Sequence, residues 1–288
     1  MDPSLLRTLL WGTAAFSAYG VGLVAMKHGA ADILHPRSLF ATPQSRRRGA
    51  IWLCGALANF GCVVLLSVAL KHGHASVVAA LNGWSLVVVA LLSRLFLGER
   101  LSRADQAGIA VVVAGVAALG LYGGVQAEGL SYEPGRVSAF VFGVLGGTGA
   151  LVLGSWRAGW WRGATVLGTA AGVLAGLSFV LQKIFIDPVL ADDGVDLWAM
   201  LPSPWFWLYL LVSNGGFAVL QLAYPFGRAV EVAPAVVSSM ILVPIAGGVI
   251  CFGEALSVPQ ILGTVAILAG VWLLTALEKP GAPGAALE

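Results

Sequence analysis

Gly98-Glu99-Arg100-Leu101-Ser102 recurs later in the chain as Gly253-Glu254-Ala255-Leu256-Ser257. The same offset carries Asn59 to Asn214, Gly108 to Gly263 and Ala114-Gly115-Val116 to Ala269-Gly270-Val271. An upstream block, Gly12-Thr13-Ala14-Ala15 ending at Lys27, returns one residue out of step as Gly168-Thr169-Ala170-Ala171 ending at Lys183. Segments rich in Ala, Gly and Leu share identities by chance, but collinear matches that include Asn, Glu and Lys are hard to obtain that way. The chain reads as a duplication. In a membrane protein, duplication is the usual architecture of a transporter, with the substrate site where the halves meet.

The medium is lipid. Hydrophobic residues make up 58% of the chain and charged ones 10%, with a mean hydropathy of +0.89, where a soluble domain carries about a quarter charged residues. Apolar runs near 5–27, 50–70, 75–97, 106–124, 137–155, 164–185, 205–225, 232–252 and 259–277 approach the roughly 20 residues a spanning helix needs. The first run is too long for a secretory signal and only Arg7 precedes it, so it reads as a retained helix. The expected fold is all-α, a polytopic membrane protein of about nine transmembrane helices.

An N-terminus outside places Lys27, Arg37, Arg46, Arg47, Arg48, Arg94, Arg100, Arg103, Arg157, Arg162, Arg228 and Lys279 at or near the cytoplasmic side. Arg7, Lys71, Arg136 and Lys183 remain outside. The excess of inner basic residues supports that orientation in the cell membrane, with the C-terminus cytoplasmic. Residues 1–124 then form a first four-helix repeat, 125–163 a linker helix and loop, 164–277 a second repeat, and 278–288 a flexible tail. The odd linker helix inverts the second copy, an arrangement of 4+1+4. Residues 32–49, with their prolines and Arg46-Arg47-Arg48, read as a cytoplasmic loop, with a re-entrant piece near 33–40 as the alternative.

Gly98-Glu99-Arg100-Leu101 followed by Gly108 and Ala114-Gly115-Val116, repeated from Gly253-Glu254, resembles the signature of the drug/metabolite transporter superfamily. The resemblance implies a secondary transporter or related permease with a central cavity. EamA-type members have ten helices, five per repeat. The nine-helix arrangement is similar to that of NIPA-type magnesium transporters, and Gly55-Ala56-Leu57-Ala58-Asn59-Phe60 and Gln221-Leu222-Ala223-Tyr224 resemble segments of theirs. Those relatives carry an intramembrane Glu where this chain has Ala56. Because Mg²⁺ takes oxygen ligands, commonly including one or two carboxylates, that departure speaks against magnesium.

Intramembrane polar groups face a bundle interior or water. The candidate substrate cavity comprises Asn59, Asn214, Tyr19, Asn82, Trp84, Gln221, Tyr224 and Ser238, with interhelical hydrogen bonding as the alternative role for the polar members. Lys27 and Lys183 are gate or headgroup residues, and a lysine at a helix end ordinarily snorkels to the membrane face. Glu99 and Glu254 are coupling candidates, although a carboxylate capping the following helix explains the recurring Gly-Glu as well. His72-Gly73-His74 reads as a solvated loop, not a metal site. Trp156, Trp160, Trp161, Trp198, Trp205 and Trp207 read as interfacial belts. Pro234 and Pro244 mark the eighth span as the kinked element. Cys54, Cys62 and Cys251 read as packing residues.

No zincin, nucleophile-elbow or Walker motif is present, and the expectation is no enzyme and no cofactor. Scattered basic residues imply no nucleic-acid partner. The expected function is alternating-access movement of a neutral, zwitterionic or anionic small organic metabolite or amphiphile, with membrane lipids around it and a homodimer as one assembly. A divalent-cation transporter and a non-transporting scaffold subunit are the alternatives.

Overall fold

The computed structural model describes residues 3–33, 43–97, 103–122, 132–157, 164–191, 194–223 and 229–276. Ten α-helices follow one another: α1 Pro3–Ile33, α2 Pro43–His72, α3 Ala75–Ala80, α4 Gly83–Leu97, α5 Arg103–Tyr122, α6 Pro134–Arg157, α7 Ala164–Val189, α8 Pro204–Ala223, α9 Ala229–Phe252 and α10 Val258–Ala276. Between α7 and α8, Leu190–Ala191 and Gly194–Val195 pair as two short antiparallel strands ahead of a 3-10 turn at Leu197–Met200. Among the described residues, each of the nine apolar runs lies in helix, the third divided between α3 and α4. Among the described residues, six stretches are long and apolar enough to cross a membrane: Pro3–Met26, Pro43–His72, Ala75–Leu92, Pro134–Arg157, Val166–Val189 and Ala235–Phe252. Gln106–Ala118, Pro204–Leu220 and Val258–Leu273 are shorter apolar helices.

The two copies are legible in how helices cross. A Cβ placed on Gly115 of α5 would lie 2.8 Å from the Gly263 carbonyl oxygen and 2.7 Å from the Ile267 side chain on α10. A Cβ on Gly270 of α10 would lie 2.9 Å from the Gly108 oxygen and 2.6 Å from the Val112 side chain on α5. Gly115 and Gly270 are repeat mates, as are Gly108 and Gly263, and Val112 and Ile267. The contact is therefore reciprocal, as a two-fold axis requires. Late α5 meets early α10 and early α5 meets late α10, so the helices run antiparallel and the axis lies across them. An axis across the spanning helices inverts one copy relative to the other. The glycines of the repeated motif are thus the crossing point of the two repeats, where small residues let backbones approach.

A second pair of mates agrees. Gly20 of α1 packs against the Ser85 carbonyl and Val88 of α4, and Gly176 of α7 packs against the Ser239 carbonyl and Val243 of α9. The copies differ in the third span. α9 runs unbroken through Pro234 and Pro244, the residues expected to kink it, whereas the first copy stops at Ala80 and restarts at Gly83. Asn82-Gly83 explains the break, since both residues are weak helix formers. The Ser85 hydroxyl donates to the Asn82 carbonyl at 2.7 Å, a local bond that competes with helix continuation. α3 is wholly buried from Ala75 to Ala80, as are Leu81 and Asn82.

Other boundaries shift. α1 extends to Ile33 and α2 begins at Pro43, so Arg46, Arg47 and Arg48 occupy the start of a helix instead of a loop. Residues 34–42, where a re-entrant piece was the alternative, lie outside the described residues.

Substitution at the crossing tests this packing. Gly115→Ala and Gly270→Ala each press a methyl group onto backbone, and overpacking costs about 1–3 kcal/mol. Each variant is expected to unfold at lower temperature in detergent than the parent, whereas Gly147→Ala on α6, where a Cβ meets nothing within 4 Å, should unfold with it.

Candidate functional site

A cavity of about 200 Å³ lies between the copies, walled by α1 and α2 on one side and α7, α8 and α9 on the other. Phe16 and Tyr19 come from α1, and Asn59, Cys62, Val63 and Leu66 from α2. α7 adds Ala175, Ser178, Phe179 and Gln182, α8 adds Tyr209, Ser213 and Phe217, and α9 adds Val236 and Met240. No Lys, Arg, His, Asp or Glu stands in this lining.

Of the residues selected from sequence, Asn59 and Tyr19 reach the cavity. Asn59 also serves packing: its amide donates to Met26 Sδ at 3.8 Å, and its Oδ1 is buried without a hydrogen-bond partner. Asn214, its repeat mate, is exposed and returns its amide to the Leu210 carbonyl of its own helix at 2.7 Å. Trp84 donates to the Ser17 hydroxyl at 2.9 Å and ties α4 to α1 without lining the cavity. Asn82 is buried at the α3–α4 break, its Nδ2 without a partner, and neither it nor Ser238 lines the cavity. The side chains of Lys27 and Gln221, together with Glu99 and Tyr224, lie outside the described residues.

Gln182 closes one end. Its Nε2 donates to the Val63 carbonyl at 3.1 Å and the Ser67 hydroxyl at 2.8 Å, fastening α7 to α2. The next residue begins a charged cluster. Lys183 Nζ donates to Glu254 Oε1 at 2.9 Å and to the Gly73 carbonyl at 3.0 Å, and lies 5.1 Å from the Phe252 ring centroid. Both side chains are nearly sealed, at 2% and 3% exposure. Lys183 therefore does not reach for headgroups. Late in α7, it has a carboxylate, a carbonyl and a ring within reach instead.

Glu254 corrects a second expectation. Its carboxylate caps a helix, but not the one that follows it. Oε1 accepts from Ala75 N at 2.7 Å, and Oε2 accepts from Ser76 N at 3.1 Å and the Ser76 hydroxyl at 2.7 Å, all at the start of α3 in the other copy. The following helix, α10, has its own capping box, in which Gln260 Oε1 accepts from Ser257 N at 2.7 Å and Ser257 Oγ accepts from Gln260 N at 3.4 Å. Local sequence aims the carboxylate. Gly253 takes a left-handed conformation, φ 64°, that ends α9, and Gly248 has no side chain where the carboxylate folds back.

His74 completes the cluster, with Nδ1 3.7 Å from Glu254 Oε1. His72-Gly73-His74 is consequently not a purely solvated loop, because its carbonyl and second imidazole serve the buried pair. Beside it, Lys71 Nζ donates to the Leu190 carbonyl. Burial would push the Glu254 carboxyl up, but the His74 contact, the Lys183 charge and the Ser76 hydroxyl together hold it well below the usual carboxylate range.

Fold and composition together define a polytopic integral membrane protein built of two inverted copies with a small cavity between them. Residues 8–121, which span α1 to α5 of the first copy almost completely, match the EamA-like transporter family, within the drug/metabolite transporter superfamily. No curated protein and no solved structure is matched by the chain.

Removing one partner of a buried pair leaves the other charge uncompensated, at a cost of about 3–5 kcal/mol. Lys183→Met and Glu254→Gln are each expected to lower the unfolding temperature strongly, and the double variant to recover part of the loss. The folded carboxyl titrates below its unfolded value, so its contribution is complete above the ordinary carboxylate range and disappears as pH falls. Below about pH 4 the parent should therefore lose thermal stability faster than Glu254→Gln, and parallel losses would contradict the assignment.

Proposed function

We propose that the protein moves a small, neutral, largely apolar organic solute across the cytoplasmic membrane by alternating access, binding it in the cavity between the copies. The chemistry of the lining carries this reading. Taking a charged solute out of water is costly unless counter-charges await it, and the cavity offers phenols, hydroxyls and amides from Tyr19, Tyr209, Ser178, Ser213, Asn59 and Gln182 on a predominantly apolar wall. Of the neutral, zwitterionic and anionic classes, the neutral one fits best. A Mg²⁺ pathway gains nothing from this lining, which provides no carboxylate oxygen, and position 56 is alanine.

A binding screen tests the substrate class. Small neutral, anionic and cationic organic solutes are added to purified protein, and a ligand raises the unfolding temperature as it binds the folded state. Neutral solutes are expected to stabilise and then to show saturable flux in liposomes containing only this protein. Asn59→Ala should weaken binding severalfold with little effect on stability, since membrane hydrogen bonds average about 0.6 kcal/mol; Asn214→Ala should change neither. Ser213→Phe, which fills the cavity, should abolish binding. Stabilisation by charged solutes alone would reject the neutral class, and no flux of any solute would leave a scaffold.

The orientation assigned to the chain has its own check. A cysteine at position 196 should react with an impermeant thiol reagent outside intact cells, and one at position 47 only after permeabilisation. The reverse pattern would turn the protein over.

A further inference from the structure

We propose that the Lys183–Glu254 pair is a releasable latch between the two copies, which shuts the cavity at the end where α2, α7 and α9 finish; this inference rests on the alternating-access reading. The cluster joins four chain segments. Lys183 belongs to α7 and Glu254 to the α9–α10 turn of the second copy, whereas Gly73 belongs to the α2–α3 turn and Ala75 and Ser76 to the start of α3 in the first. Every polar bond from Glu254 to backbone, and one of the two from Lys183, crosses between copies. Directly beneath stands Gln182, both a wall of the cavity and a bridge to α2. Opening this end requires α7 and α9 to part from the α2–α3 turn, which breaks the Glu254 contacts with Ala75 and Ser76 and the Lys183 contact with Gly73.

Three features suit the cluster to release as well as closure. First, its strength is concentrated in one carboxylate that accepts four hydrogen bonds at 2.7–3.1 Å, so one side-chain movement undoes the junction. Second, Lys183 and Glu254 lie on the same copy and can stay paired while both leave the first copy, which avoids stranding a bare charge in lipid. Third, the left-handed Gly253 gives the segment holding the carboxylate a turn at its base, and Gly248 leaves the space into which it folds. The apolar packing of α5 on α10 lies elsewhere and can persist through the movement.

A native cysteine reports the state of this end. Cys62 lines the cavity and is buried, Cys54 is exposed and Cys251 is buried. With Cys54→Ala and Cys251→Ser as background, oriented liposomes are treated with a charged, impermeant methanethiosulfonate on the Glu254 face, and the rate of Cys62 modification is measured. Glu254→Gln is expected to raise that rate at least fivefold, and Ser76→Ala, which removes one bond and leaves the ion pair intact, to raise it by a smaller factor. Where Glu254→Gln does not fold, Ser76→Ala and Gly248→Ala carry the test. An unchanged rate in folded variants, with unfolding temperature lowered, would make the cluster a structural brace and overturn the latch. The readout needs neither substrate nor flux. Faster Cys62 modification in a protein that transports nothing would keep the latch and reject the transporter reading, while saturable flux with unchanged modification would do the opposite.

Discussion

The first turn of α3 must satisfy its backbone N–H groups in a place where neither water nor a local side chain is available. His74 stands at the N-cap position without capping through its side chain, and α3 is buried throughout. An unsatisfied group in an apolar medium costs several kcal/mol, so a short interior helix needs an acceptor from elsewhere. Glu254 provides it from the opposite copy. A carboxylate in that position needs a cation, and Lys183, late in α7, is close enough to serve. The ends of α7 and α9, the α2–α3 turn and the head of α3 are thereby bound to one point.

Symmetry and its violation both follow from side-chain size and helix propensity. Gly108, Gly115, Gly263 and Gly270 make the α5–α10 crossing reciprocal because each copy presents the same small residues at the same depth. The third span departs where Asn82-Gly83 is replaced by Val237-Ser238 in the second copy. Pro234 and Pro244 do not break the corresponding span of the second copy. In a membrane bundle the group that proline frees finds partners among neighbouring helices, and α9 remains one helix.

Legibility in the sequence tracked range. The nine apolar runs, the duplication and its inversion are properties of local composition and of repeated letters, and each is visible without coordinates. The Gly-Glu pair was recognisable as a capping element, yet its true partner, Ala75, lies far away in the chain, and the neighbouring α10 offered a nearer and plausible one. His74 and Gly73 were unreadable for the same reason: a histidine beside a glycine has no signature until a buried carboxylate is brought to it. Asn59 and Asn214 show the limit of repeat reasoning. Equivalent positions in a duplicated chain share helix and depth, but Asn59 faces the cavity wall whereas Asn214 turns back onto its own backbone.

The distribution of charge separates two tasks that a transporter must perform. The cavity wall is free of ionised side chains, whereas directly above it one carboxylate, one ammonium and one imidazole are packed together. A neutral solute gains little from charges in its binding site and would pay to desolvate them. Closure has the opposite need. Apolar surfaces sliding past one another in lipid have no hydrophobic driving force between them, since lipid tails are as apolar as leucine, and a few directional, charge-assisted hydrogen bonds define a closed position where packing alone would leave a continuum. Under the proposed function, such bonds placed beyond the cavity, not within it, would allow recognition to stay weak and permissive while the closed geometry stays sharp.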